Sequence, residues 1–179
     1  MERLGEVIMP TESYPVKLAR TSLQYYYQHN CIMPVPGDVP ANFMVRAGVF
    51  VSLKKKGALR GCIGTFLPVQ ENVAMEIIIN AISAAMEDPR FCPVDAEELP
   101  ELTISVDVLG TPEQVHSEAE LDPARYGIIV SNGTCRGLLL PMLDGVDTVA
   151  QQIAITRQKA GIGFDEPLEI YRFTVTRYN

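Results

Sequence analysis

Ten residues, Gly57-Ala58-Leu59-Arg60-Gly61-Cys62-Ile63-Gly64-Thr65-Phe66, put three glycines, a cation and a thiol between a strand and a helix. Glycine inside a strand gives up packing and backbone entropy. Gly61 and Gly64 beside Cys62 therefore predict that another backbone or a ligand approaches this strand closely. Side chains alternate along an extended segment, which places Arg60 and Cys62 on one face and Leu59 and Ile63 on the other. A guanidinium on the face of Cys62 would favour its thiolate. Cys62 is thus the candidate nucleophile, and Arg60, Gly61 and Gly64 are candidate ligand-binding residues.

The chain has 179 residues, 47% hydrophobic and 21% charged, a size and balance that suit one globular domain over 1–179. No apolar run approaches the roughly 18 residues of a membrane span, and Met1-Glu2-Arg3 does not read as a secretory start. A cytoplasmic location and no membrane partner are expected. Cys31, Cys62, Cys92 and Cys135 lie far apart, with no Cys-x-x-Cys spacing and no His pair nearby, so free thiols rather than a zinc site are expected. The net charge of −7 and pI near 4.8 argue against a protein that coats nucleic acid. Lys54-Lys55-Lys56 reads as a solvated hairpin tip.

Along the chain, Ser13 as N-cap and Pro15 in the first turn predict a helix over 14–29, burying Leu18, Ala19, Ser22, Leu23 and Tyr26. Tyr25-Tyr26-Tyr27 reads as packing at the edge of that helix. Pro34, Pro36 and Pro40 enforce an extended connection. A strand over 45–53 should pair antiparallel with 58–66. Val73, Ile77, Ala81 and Ala84, widened by Ile78, Ile82 and Ala85, predict a helix over 70–86 that covers the sheet. Leu102 to Val108 alternates as a half-exposed strand. Asn132-Gly133 predicts a hairpin joining 127–131 to 134–140. A last helix around Val146–Ala160 stops at Gly161, and 168–176 reads as one final strand.

Two further features bear on a site. Asp88-Pro89-Arg90-Phe91-Cys92-Pro93 ends the second helix. Either Asp88 and Arg90 satisfy local backbone there, or Arg90 joins Arg60 in binding an anion. Gly57-Ala58-Leu59-Arg60-Gly61 also has an echo in Gly133-Thr134-Cys135-Arg136-Gly137. Each copy follows a hairpin tip and precedes an apolar run, a proline and a helix. Arg90 and Arg136 accordingly join the candidate ligand-binding residues.

Leu59-Arg60-Gly61-Cys62-Ile63-Gly64 resembles the signature hexapeptide of the AMMECR1 family at all six positions. Gly48-Val49-Phe50-Val51, Asp88-Pro89-Arg90-Phe91, Gly137-Leu138-Leu139-Leu140-Pro141 and Lys159-Ala160-Gly161 match as well, so the resemblance covers nearly the whole chain. The family often carries tryptophan in its C-terminal third, and this chain has none. The resemblance implies an α+β fold, mostly antiparallel sheet packed by helices, in two unequal subdomains with the hexapeptide near a cleft. It also implies association with a MEMO-type protein and a radical S-adenosylmethionine protein.

MEMO-type proteins resemble extradiol dioxygenases, whose iron needs two histidines and a carboxylate. The only histidines here are His29 in the first helix and His116 in an acidic loop, so neither a metal nor a cofactor is expected. Three readings stay open: an enzyme using Cys62 with Arg60 holding an anionic group, a binding module for a small anionic ligand, and a partner subunit of the MEMO-type and radical proteins. A fourth reading makes Cys62 a small residue buried in a sheet.

Overall fold

Alternating apolar residues build β1 (Val49–Lys55), and a tight turn returns the chain as β2 (Ala58–Thr65), seen here in a computed structural model that describes residues 12–179. The start Met1-Glu2-Arg3 lies outside the described residues. Lys56 and Gly57 both take positive φ at the tip, the geometry whose twist suits a two-residue hairpin. Lys54 and Lys55 belong to the strand instead, and Lys55 is ion-paired to Glu98 at 3.0 Å.

Helix α1 (Tyr14–His29) has the predicted bounds and buries Val16, Leu18, Ala19, Ser22 and Leu23, while Tyr26 is only half-buried. Ser13 occupies the N-cap position, yet its hydroxyl makes no capping bond. Helix α2 (Val73–Met86) is capped by the Asn72 side chain and is buried along Val73, Ala74, Ile77, Ile78, Ala81, Ala84 and Ala85. It packs on β1 and β2 and on α1, where the Ser22 hydroxyl donates to the Ile78 carbonyl at 2.8 Å. Strand β3 (Leu102–Leu109) lies antiparallel beside β1. Val49, Val51, Leu53, Leu102, Ile104 and Val106 form the inner sheet face beneath the helices. Phe50, Ser52, Ser105 and Asp107 alternate onto the outer face.

The second half repeats this plan. Strands β5 (Gly127–Ser131) and β6 (Arg136–Leu139) form a hairpin, α3 (Val149–Ala160) packs on both, and β7 (Glu169–Phe173) returns beside β5. Asn132 closes the hairpin with its side-chain oxygen, which accepts from the backbone N–H groups of Thr134 and Cys135. The spatial order β2-β1-β3 in one sheet thus matches β6-β5-β7 in the other. Each sheet has a fourth strand, and these are exchanged. Strand β4 (Glu113–Val115) follows β3 but pairs with β7, and β8 (Val175–Tyr178) follows β7 but pairs with β3.

The expected single strand over 168–176 is therefore two strands in two sheets, broken at Thr174. The reason is the crossing itself: both connections change sheet at one point, where the Gly110 N–H donates to the Thr174 carbonyl at 2.8 Å. A Cβ on Gly110 would stand 2.4 Å from the Thr174 hydroxyl. Phe50 and Phe66 from the outer face of the first sheet meet Ile129, Leu138, Tyr171 and Phe173 of the second. No helix among the described residues is long and apolar enough to cross a membrane.

Candidate functional site

The predicted close approach at the glycines is made by the protein itself. A Cβ on Gly61 would stand 2.0 Å from the Ala84 carbonyl oxygen of α2, and one on Gly64 would overlap the Phe50 ring at 2.3 Å. Gly61 lets the helix settle on the strand, and Gly64 lets an aromatic ring lie across it. Neither glycine is opened toward a ligand.

Arg60 departs from the alternation argument. Leu53 pairs with Gly61 and Lys54 with Leu59, so Arg60 is the extra residue of a β-bulge. A bulge re-aims the side chain it carries. Arg60 turns with Lys55 toward Glu98, while Cys62 sits opposite Ser52 on the outer face. Its guanidinium donates twice to Glu98, at 3.2 and 2.8 Å, and to the carbonyls of Cys92 and Pro93 at 2.8 and 3.1 Å. The Arg60 hydrogen bond, helped by the Asp95 N–H and Lys55, holds the Glu98 carboxyl at about 2. Arg60 is a clamp on the loop after α2, and the face it was expected to share with Cys62 does not exist.

Cys62 is half-buried on the edge strand β2, and the Ser52 hydroxyl donates to its Sγ at 3.2 Å. An edge strand leaves N–H and C=O groups unpaired unless something covers it. Here the Asp88-Pro89-Arg90 turn does so: the Cys62 N–H donates to Asp88 Oδ2 at 2.9 Å, and Arg90 Nη2 lies 3.4 Å from the Cys62 carbonyl. Asp88 is buried and takes Nε and Nη2 of Arg90 at 2.9 and 2.7 Å. Chiefly through that guanidinium, its carboxyl is held well below the ordinary carboxylate range. The structural reading of this turn holds, since Asp88 and Arg90 satisfy the local backbone, and the Arg90 side chain stays half-exposed, while Arg60 is turned away to Glu98.

A second pair repeats the arrangement and was missed in the sequence. Buried Asp107 takes Nε and Nη2 of Arg177, each at 2.8 Å, across 70 residues of chain. The side chain of Arg177 is also half-exposed. The Arg90 and Arg177 pKa values are raised, first by their aspartates, and the Cys62 sulfur is the last contributor to each. The signal for this pair was a carboxylate inside Ile104-Ser105-Val106-Asp107-Val108, which needs a counter-ion once buried. Nothing in the sequence names Arg177 as that counter-ion.

Arg136 stands elsewhere, at the meeting of the two sheets, with its guanidinium 5.9 Å from the centre of the Phe66 ring. Glu76 is another residue missed. Fully buried on α2, it accepts from the N–H groups of Val69 and Gln70 and from the Thr65 hydroxyl, pinning the segment after β2. The four cysteines are free.

The AMMECR1 family profile matches residues 16–178, which take in the Cys62 strand, both arginine–aspartate pairs and both sheets. The chain belongs to the AMMECR1 family. A Thermotoga maritima relative is 50% identical over 166 residues, covering 91% of this chain and 95% of its own. A Clostridium acetobutylicum relative is 51% identical over 165 residues, but this chain spans only 35% of its length. The crystal structure of an uncharacterised Pyrococcus horikoshii protein superposes with a TM-score of 0.83 at 33% identity, covering 92% of this chain and 88% of that one. The α+β fold of this AMMECR1 chain is thus that of a solved relative.

Proposed function

We propose that this AMMECR1 chain binds a small anion at Cys62 through Arg90 and Arg177. The observation that carries the reading is the shared posture of the two arginines. Each is locked on a buried aspartate through Nε and Nη2, which among the described residues leaves Nη1 without an acceptor on a half-exposed side chain. Arginines held this way lose little freedom on binding and suit the planar or tetrahedral oxyanions of carboxylate, sulfate and phosphate. The groups bonded around Cys62 are the Ser52 hydroxyl, an aspartate already engaged by Arg90, and the Arg90 guanidinium. That set binds anions rather than withdrawing protons, so binding without turnover is favoured over cysteine catalysis.

Competitive alkylation tests this. Iodoacetate carries a carboxylate that iodoacetamide lacks, so the rate ratio of the two reagents reports local attraction for an anion. The ratio should be higher at Cys62 than at the exposed Cys31 and Cys92, and R90M and R177M should each lower it. Inorganic phosphate should protect Cys62. Equal ratios at all three thiols would sink the reading.

A second reading, a partner subunit of the MEMO-type and radical S-adenosylmethionine proteins, is favoured by the Clostridium acetobutylicum relative. There a region like this one is about a third of a longer chain. Co-expression with each candidate partner, followed by size-exclusion chromatography, tests it. Independent elution from both would count against it.

A further inference from the structure

We infer that the face of the second sheet carries a separate pocket for a small aromatic carboxylate, held by Arg136. The pocket has a volume of about 330 Å³ and is lined by Leu67, Pro112, Ile129, Arg136 and Tyr171. Its walls are aliphatic and aromatic, and among the described residues the one cation on them is the Arg136 guanidinium. A largely apolar cavity with one convergent charge is the usual form of a small-ligand site, and this volume lies near the lower end for such sites.

The repeat in the chain makes Arg136 stand out. Its counterpart Arg60 spends its donors on Glu98 and two carbonyls, whereas the Arg136 side chain makes no hydrogen bond among the described residues. Arg136 lies instead over Phe66, which fixes its position while leaving its N–H groups unspent. The strand register explains why the groups converge. Arg136 faces Ser131 and Leu138 faces Ile129, while Ile129 also faces Tyr171, so the cation stands one row from an apolar row on the same face. A ring laid over Ile129 and Tyr171 would bring its carboxylate to Arg136.

Charge sets the polarity of the ligand. Glu169 lies on the same face, two strands away in the row of Arg136, with the Tyr171 hydroxyl 3.4 Å from its carboxylate. It repels a second negative group at that end, so the ligand should carry a single acidic function beside Arg136 and a neutral body. This site is independent of the one at Cys62.

The probe is 1-naphthoate, titrated calorimetrically into the full chain and followed by the methyl resonance shifts of Ile129. We expect saturable one-to-one binding with shifts at Ile129. The neutral isostere 1-naphthalenemethanol should bind about tenfold more weakly. R136M should weaken naphthoate by a similar factor with only a slight fall in melting temperature, because the side chain gives up its contact over Phe66 but no hydrogen bond among the described residues. E169Q should bind at least as tightly as the unmodified protein. Equal affinity in R136M, no preference for the acid over the alcohol, or no shift at Ile129 would each overturn the proposal.

Discussion

The carbonyl oxygen of Ala84 lies 2.0 Å from where a Cβ on Gly61 would stand. The same relation recurs in the second half, where a Cβ on Gly137 would meet the Thr156 carbonyl oxygen of α3 at 2.7 Å. In both units the glycine that closes Gly-x-x-Arg-Gly is the seat of the following helix. A side chain there must push a helix backbone away, and backbone does not yield as a flexible side chain does.

G61V should therefore fail to accumulate as folded protein, and G64V, which drives into the Phe50 ring, should lower the melting temperature sharply. G57A has open space around it and faces only the strain of its positive φ, about 1 kcal/mol. Thermal melts of the three variants beside the parent check the ranking. Equal melting temperatures would remove the close-approach argument.

R60M should act on stability and not on Cys62. Losing the clamp leaves Glu98 and two carbonyls short of a donor, a cost of about 2 kcal/mol. The iodoacetamide rate at Cys62 in the folded protein should stay as it was, because the bulge carries Arg60 off that face. A slowed Cys62 in folded R60M would return Arg60 to the site.

Acid should destabilise the chain in a defined window. The Glu98 carboxyl lies near 2 in the fold against an ordinary 4.5, so the unfolded chain takes up its proton first as pH falls. The stabilisation is complete above 4.5 and is lost on descent toward 2. E98Q should be less stable than the parent at neutral pH, and the gap should narrow as pH falls through that window. A gap that held constant would show that the ion pair contributes nothing through linkage.

Asp88 joins an edge strand to an arginine, so D88A should cost more than a surface change. It strips the Cys62 N–H of its acceptor and frees Arg90, an expected loss of about 2–4 kcal/mol in urea unfolding. D88N, which keeps an acceptor for the N–H, should recover part of that. Indistinguishable stabilities for D88A and the parent would show that the turn does not hold β2.

Labelling by neutral iodoacetamide should follow access. Cys31 and Cys92 are exposed and should react first, ahead of the half-buried Cys62 and Cys135. A time course read by mass spectrometry ranks all four thiols, and Cys62 leading it would point to activation beyond what access supplies.

Local chemistry was enough to place most of this architecture from the sequence. Proline and alternation or helical periodicity bounded α1 and, within a residue, β2, because those signals act within a few residues of one another, whereas β1 begins only at Val49 and α2 at Val73. Gly161, with φ of +69°, ends α3, and Gly61 and Gly64 mark close approach from sequence alone. What approaches them, Ala84 and Phe50, is a tertiary matter. The bulge at Arg60 reversed a face that strict alternation had assigned, since one extra residue is invisible without the partner strand. Asp107 reads locally as the polar face of a half-exposed strand, but it is buried, and Arg177 neutralises it from 70 residues away by way of a strand that changes sheet at Thr174. Long-range pairing of that kind depends on which surfaces the assembled sheets bring together, and no local periodicity encodes it.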